Sequence, residues 1–211
     1  MKEIIAKLFN SLRYDTTPDL REFGQLVEFI EKQSLFVSQV TLYTYIKTRA
    51  GTQWPKLFEN EKYLTSLKIA RWHIFAASVA DLSIFAAAQF NKSGQADYKI
   101  CNKVAQKMIA AILSEIEQED IDESVFFNVI KNSQKRCNET DYAKAAIGDH
   151  VFQTSAQALL DWAPIIDDFK KNDEPIIRNS IHLRWIGVRR DLAKGIHTKE
   201  ILSDFRAQNI L

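Results

Sequence analysis

The residues best placed to do chemistry in this chain sit in a nearly continuous apolar stretch, "RWHIFAASVADLSIFAAAQF", which spans positions 71 to 90. It holds one imidazole, His73, and one carboxylate, Asp81. A histidine and an aspartate are the usual partners for proton transfer, but only when their side chains meet. Eight residues separate these two, about two helical turns, so direct contact is not expected. A carboxylate buried in such a helix still needs a partner, because an unpaired interior charge is too costly to retain. The row Arg178, His182 and Arg189, beside the apolar positions of a later helix, supplies candidates, and an arginine stem can pack while its head reaches inward. Asp81 is therefore expected to pair with an arginine, with His182 or with a tyrosine hydroxyl. Tyr43, His73, Asp81, Arg178 and His182 form the candidate buried polar cluster.

Other spacings exclude chemistry. A di-iron bundle needs ExxH motifs on facing helices, and none is present. GxSxG, GxxxxGK[ST], GxGxxG and HExxH are also absent, which removes the acyl-transfer elbow, the phosphate loop, the dinucleotide fingerprint and the zinc-protease helix. "DDFKKND" at 167–173 loosely resembles the magnesium-binding carboxylates of helical prenyl-transfer enzymes. Its spacing is too long, two lysines intervene and the second acidic motif is missing, so a solvated helix end is the better reading. Asp149 and His150 are adjacent, which turns their side chains roughly 100° apart on a helix. No catalytic residue, metal ligand or cofactor is expected.

The charge balance points the same way. Lysine plus arginine (28) nearly equals aspartate plus glutamate (27), so no global field draws the protein to nucleic acid or to an acidic membrane. The local exception is the basic set Arg184, Arg189 and Arg190 near the row above. With Arg49, Trp54 and Lys56 of the connection "TRAGTQWPKLF", they make the candidate interaction surface, Trp54 being the aromatic anchor. Cys101 and Cys137 lie far apart without metal-ligand spacing, which fits a reducing cytoplasm. "MKEIIAKLFNSLRYD" has charges that interrupt any signal-peptide core.

The elements that must position these residues read as helices. Gly (6) and Pro (4) are few in 211 residues, and apolar positions recur at helical spacing. Residues 1–14 make an amphipathic helix through Ile4, Ile5, Leu8, Phe9 and Leu12. Thr17 as N-cap and Pro18 at the first position open a second helix to about residue 48. Its β-branched second half competes as a strand, but no partner strand appears elsewhere. Pro55 opens a short turn before the long helix of about 60–92. Helices follow at about 96–117 and 123–136, the latter capped by Asp122 or Ser124. "YAKAAIGDHVFQTSAQALLDW" gives one helix ending before Pro164, and "IIDDFKKND" a short piece. A last main helix starts at Pro175 with Gly195 just past its end, and 198–208 add another. The sum is an all-α, single-domain bundle of about six to eight helices over 1–211, with 60–92 buried at its centre. Asp81 at the middle of that helix argues against a membrane span.

The segments "YIKTRAGTQWPKLFENEKYLTSLKIARWHIFAASVADLSIFA" and "RNSIHLRWIGVRRDL" resemble a group of all-helical proteins of about this length from alphaproteobacteria. Some members carry a general esterase label, which the missing nucleophile elbow does not support here. The resemblance covers about half the chain and implies a bacterial cytosolic protein, with no site residues to carry over. By elimination, the expected function is a non-catalytic adaptor that binds another protein, or a further copy of itself. The alternatives are peripheral attachment to a membrane surface through residues 1–14, and a helical enzyme or ligand-binding bundle with a polar site near Asp81.

Overall fold

The computed structural model describes residues 17–114, 122–148 and 150–208. The expected N-terminal amphipathic helix, the centre of the acidic connection after residue 114 and the Asp149–His150 pairing lie outside those residues. The described elements in chain order are α1 (Phe23–Ala50), α2 (Trp54–Leu57), α3 (Glu61–Lys92), α4 (Tyr98–Ser114), α5 (Glu123–Glu139), α6 (Tyr142–Ala145), α7 (Gln153–Trp162), α8 (Asp167–Gly195) and α9 (Thr198–Ala207). Among the described residues the only β pairing is an isolated parallel bridge, Leu20 to Ile196.

α3 is the hub, and α1, α4, α5, α6, α7, α8 and α9 all pack on it. Its sequence explains this. Ala70, Ala76, Ala80, Ala86, Ala87 and Ala88 are buried, as are Ser78 and Ser83, and side chains this small let neighbouring helices approach on every side. Ile74, Val79, Leu82, Ile84 and Phe85 fill the spaces between. By length and composition α3 is apolar enough to cross a membrane, but 89% of its most apolar window is buried inside the bundle. A helix that is hydrophobic all round is a core helix when other helices cover it. Asn60 caps its start by accepting from the Tyr63 amide at 3.1 Å.

Four boundaries differ from those expected. Residues 17–20 are not helical, and α1 begins at Phe23. The side-chain oxygen of Gln25 accepts from the amides of Arg21 and Glu22, and Asp204 of α9 accepts from the Phe23 amide at 2.8 Å. Carboxylate at a helix N-terminus is favourable, and here it comes from the other end of the chain. The segment around Leu20 instead crosses the end of α8. The Leu20 amide donates to the Gly195 carbonyl at 2.8 Å, and the His197 amide donates to Leu20 at 2.9 Å. Gly195 is the last residue of α8, not the one after it, and the position admits no side chain, because a Cβ there would lie 2.0 Å from the Pro18 carbonyl oxygen.

The helix expected over 142–162 is two, α6 and α7, parted at Gly148, whose φ is +96°. The break lets Val151 and Phe152 turn into the core. Conversely, the piece at 167–173 and the helix expected from Pro175 are one helix, α8, running through the proline. Pro175 leaves one carbonyl of that helix unbonded, a defect water can satisfy where Lys171 and Pro175 are both exposed. Buried anchors on either side of it, Asp173 and Ile177, hold the helix together.

Candidate functional site

The residues expected to form one polar cluster are not brought together. Asp81 is completely inaccessible on α3, and its partner is Arg136 of α5. The Arg136 Nη1 donates to Asp81 Oδ1 at 2.5 Å, and Nη2 donates to the Val151 carbonyl at 2.5 Å. Asp81 Oδ2 accepts from the Ser155 amide at 2.9 Å, and the Ser155 hydroxyl accepts from Trp185 Nε1 of α8 at 3.1 Å. One carboxylate thus ties α3, α5, the 151–155 segment and, through Ser155, α8. Burial pushes the Asp81 carboxyl up from its ordinary value, while the Arg136 guanidinium and the Ser155 groups pull it down. Of the expected partners, an arginine, His182 or a tyrosine hydroxyl, the structure has an arginine, but it is Arg136 of α5 and not Arg178 or Arg189 of α8. Burial requires a partner and does not say which, and Arg136 lies beside apolar positions that carry no sign of the pairing.

The other members are dispersed. Arg178 donates to Glu174 at 2.7 Å and to Gln157 at 2.6 Å. His182 lines, with Arg178, Asn179 and Gln157, a shallow groove between α7 and α8. Tyr43 packs on the apolar cluster that contains Leu42, Ile46 and Leu159. His73 stacks flat on Trp162, with ring centroids 3.5 Å apart and planes at 6°. Burial lowers its pKa to about 4, so the imidazole is neutral at ordinary pH. His73, Arg136, Asp161 and Trp162 line a groove of about 370 Å³ between α3, α5 and α7.

The basic and aromatic surface is also largely committed inward. Arg49 pairs through two nitrogens with Asp173, which also accepts from the Tyr45 hydroxyl at 3.0 Å, and the guanidinium lies 5.1 Å from the Phe169 ring centre. Asp173 is buried, whereas Asp167 and Asp168 are exposed, so "DDFKKND" is a solvated end only in part. Trp54 is half-buried against Phe58, with centroids 4.8 Å apart, and does not stand out as an anchor. Arg189 lies over the Phe85 and Phe152 rings, donates to the Ile147 carbonyl and covers Gly148, where a Cβ would meet the guanidinium at 2.5 Å. It clamps the break between α6 and α7. Arg184 is half-buried, and its Nε has no partner among the described residues. Lys56 and Arg190 remain exposed.

What the sequence reading missed is the outer face of α8. Its inner stripe, Ile177, Ile181, Trp185, Val188 and Leu192, is buried as expected. Opposite that stripe stand Phe169 (45% exposed), Ile176 (69%), Leu183 (67%) and Ile186 (47%). Phe169, Ile176 and Leu183 recur at intervals of seven, the spacing that keeps one face of a helix toward a partner helix. That spacing is present in the sequence, but it is weaker than the five-residue inward stripe of the same helix.

Among the described residues no group of His, Cys, Asp and Glu is arranged to hold a metal ion. Cys101 and Cys137 are free and buried, and burial raises both thiols to about 11, which leaves them poor nucleophiles. Comparison of the chain with family models, with curated proteins and with solved structures finds no match.

Proposed function

We propose that this is a non-catalytic helical interaction protein of a bacterial cytoplasm, which binds a partner protein through the outer face of α8. The observation that carries this reading is the exposed apolar stripe of that helix. Single exposed apolar side chains are ordinary, but four large ones along one helix face invite a helical partner. The commitment of Asp81, Asp173, Arg49 and Arg189 to internal contacts supports it by elimination, because each serves the fold where it stands. The two unpaired thiols fit a reducing compartment. The test is stoichiometric capture by the tagged protein, beside Leu183→Glu and Lys56→Glu variants of unchanged far-UV circular dichroism. Loss with the first and retention with the second is expected, and capture that survives Leu183→Glu refutes the assignment.

One observation favours a second reading, binding of a small molecule in the groove beside His73. There the neutral imidazole, the Trp162 ring and an arginine held from behind by Asp81 combine apolar lining with convergent polar groups. Chemical-shift changes confined to His73, Arg136 and Trp162 in a fragment screen would support it, and their absence would remove it.

A further inference from the structure

We infer that the outer face of α8 is occupied by α8 of a second copy of the chain, the two helices lying antiparallel about a two-fold axis that passes beside Asn179. The inference rests on the reading of that face as the interaction surface, and it names the partner. Three observations lead to it.

The stripe has the period of a helix seam. Phe169, Ile176 and Leu183 repeat every seven residues, with Ile186 completing the next position of the same seam. The facing element that such a period fits is another helix. From Phe169 to Arg190 the seam spans roughly 30 Å, long enough for several interlocking layers.

The charges are asymmetric along the helix. The N-terminal end exposes Asp167 and Asp168, which touch Lys170 at 3.3 Å and the exposed Lys171 at 4.0 Å only along their own helix. The C-terminal end continues the exposed face through Lys194 and through Arg190, which also bonds its neighbour Asp191 at 2.9 Å. A parallel pair would set like charges side by side. An antiparallel pair sets Asp168 of one copy against Arg190 of the other, twice, which is complementary and self-consistent under two-fold symmetry.

The register follows from that pairing. Matching 168 with 190 places the axis at residue 179, brings Ile176 beside Leu183 of the second copy and Phe169 beside the aliphatic stem of its Arg190. Asn179, which is exposed, then meets its own counterpart. A polar residue at the middle of an apolar seam costs stability but fixes register, since its amide is satisfied only in one alignment.

The test combines mass measurement with crosslinking on the full chain. Sedimentation velocity across micromolar concentrations should show a monomer–dimer equilibrium, which Leu183→Glu weakens at least about tenfold. Arg190→Glu alone and Asp168→Arg alone should each weaken it, and the two together in one chain should restore it. Under a mild oxidant Asn179→Cys should crosslink to itself while Ile176→Cys and Leu183→Cys do not. The native thiols are buried and give no background. Self-crosslinking at both 176 and 183 would show a parallel pair, and at one of them a shifted axis; either overturns the register. A monomer at every concentration overturns the inference, whether the face is then found covered by the chain's own residues 1–14 or by a different protein. In that last case the proposed function stands without self-association, whereas a monomer that also captures nothing through α8 removes both.

Discussion

Replacing Asp81 by asparagine keeps the shape of the buried side chain and removes its charge, so it isolates what the carboxylate does. The carboxylate accepts two hydrogen bonds, from the Arg136 guanidinium and from the Ser155 amide. An asparagine has one oxygen, so its amide nitrogen must face one of those two donors. Each bond to a charged group contributes about 1.5–3 kcal/mol, and removing one partner of a buried ion pair costs about 3–5 kcal/mol because the other charge is left behind. Arg136 is itself one-quarter exposed and can turn partly to water, which favours the lower end of that range. The expected loss is therefore about 3–4 kcal/mol, a fifth or more of the stability of an ordinary domain. The assay is guanidinium unfolding followed by far-UV circular dichroism, with the indole N–H resonance of Trp185, assigned by its loss in Trp185→Phe, as a local probe of the network. A double variant, Asp81→Leu with Arg136→Met, should regain most of the loss, since an apolar pair of similar volume needs no desolvation. A loss under about 1 kcal/mol in Asp81→Asn, or a double variant no better than the sum of the single ones, would refute the reasoning.

Three further outcomes are expected. Burial holds the His73 pKa at about 4 against 6.5 when unfolded, so the neutral ring favours the folded state above pH 6.5 and that contribution is lost as pH falls from 6.5 toward 4. The full shift is worth about 3 kcal/mol, reduced to about 1–2 kcal/mol by solvent at the open side of the groove. His73→Gln should flatten stability measured between pH 7.5 and 4.5 by that amount, and parallel profiles would rule the assignment out. Gly195→Ala should cost about 2–4 kcal/mol in thermal or chemical unfolding, because its Cβ would displace the Pro18 segment and break the hydrogen bonds around Leu20. A change within about 0.5 kcal/mol would show that segment to be loosely held. Asp173→Asn should cost about 1–3 kcal/mol and free Arg49 from Phe169, which hydrogen exchange at the C-terminal end of α1 would register as faster opening.

The fold class and the central place of α3 were legible because alanine-rich, all-round apolar helices have few other uses. The inward stripe of α8 followed from period in the same way, and of the two expected caps of α5, Asp122 and Ser124, the structure uses Asp122. What was not legible depended on contacts between distant segments. Thr17 and Pro18 carry good helix-start chemistry, yet Leu20 just after them bonds to Gly195 and His197, which outweighs it. Pro175 looked like a helix start because local rules weigh its missing N–H above the anchoring of Asp173 by Arg49, which lies more than a hundred residues earlier in the chain. Arg189 and Arg49 looked like surface charges because a guanidinium over an aromatic ring has no sequence period. The break at Gly148 has a sequence signal, glycine before aspartate, which the helical spacing on either side outweighs.

The all-round contact of α3 has a consequence for synthesis. α3 is complete once residue 92 has been made, but α7, α8 and α9, which cover much of it, follow over about a hundred further residues. At 5–20 residues per second, part of its apolar surface stays uncovered for roughly 5–20 s on the ribosome. During that interval the segment has the length and composition of a membrane span. Asp81 then acts in a second capacity, since a carboxylate at the centre of such a segment raises the cost of insertion by about 2.5–3.5 kcal/mol. The same side chain that later joins α3 to α5 and α7 biases the nascent helix toward waiting in water for its neighbours, so a carboxylate wholly buried in the finished protein matters earliest while it is still exposed.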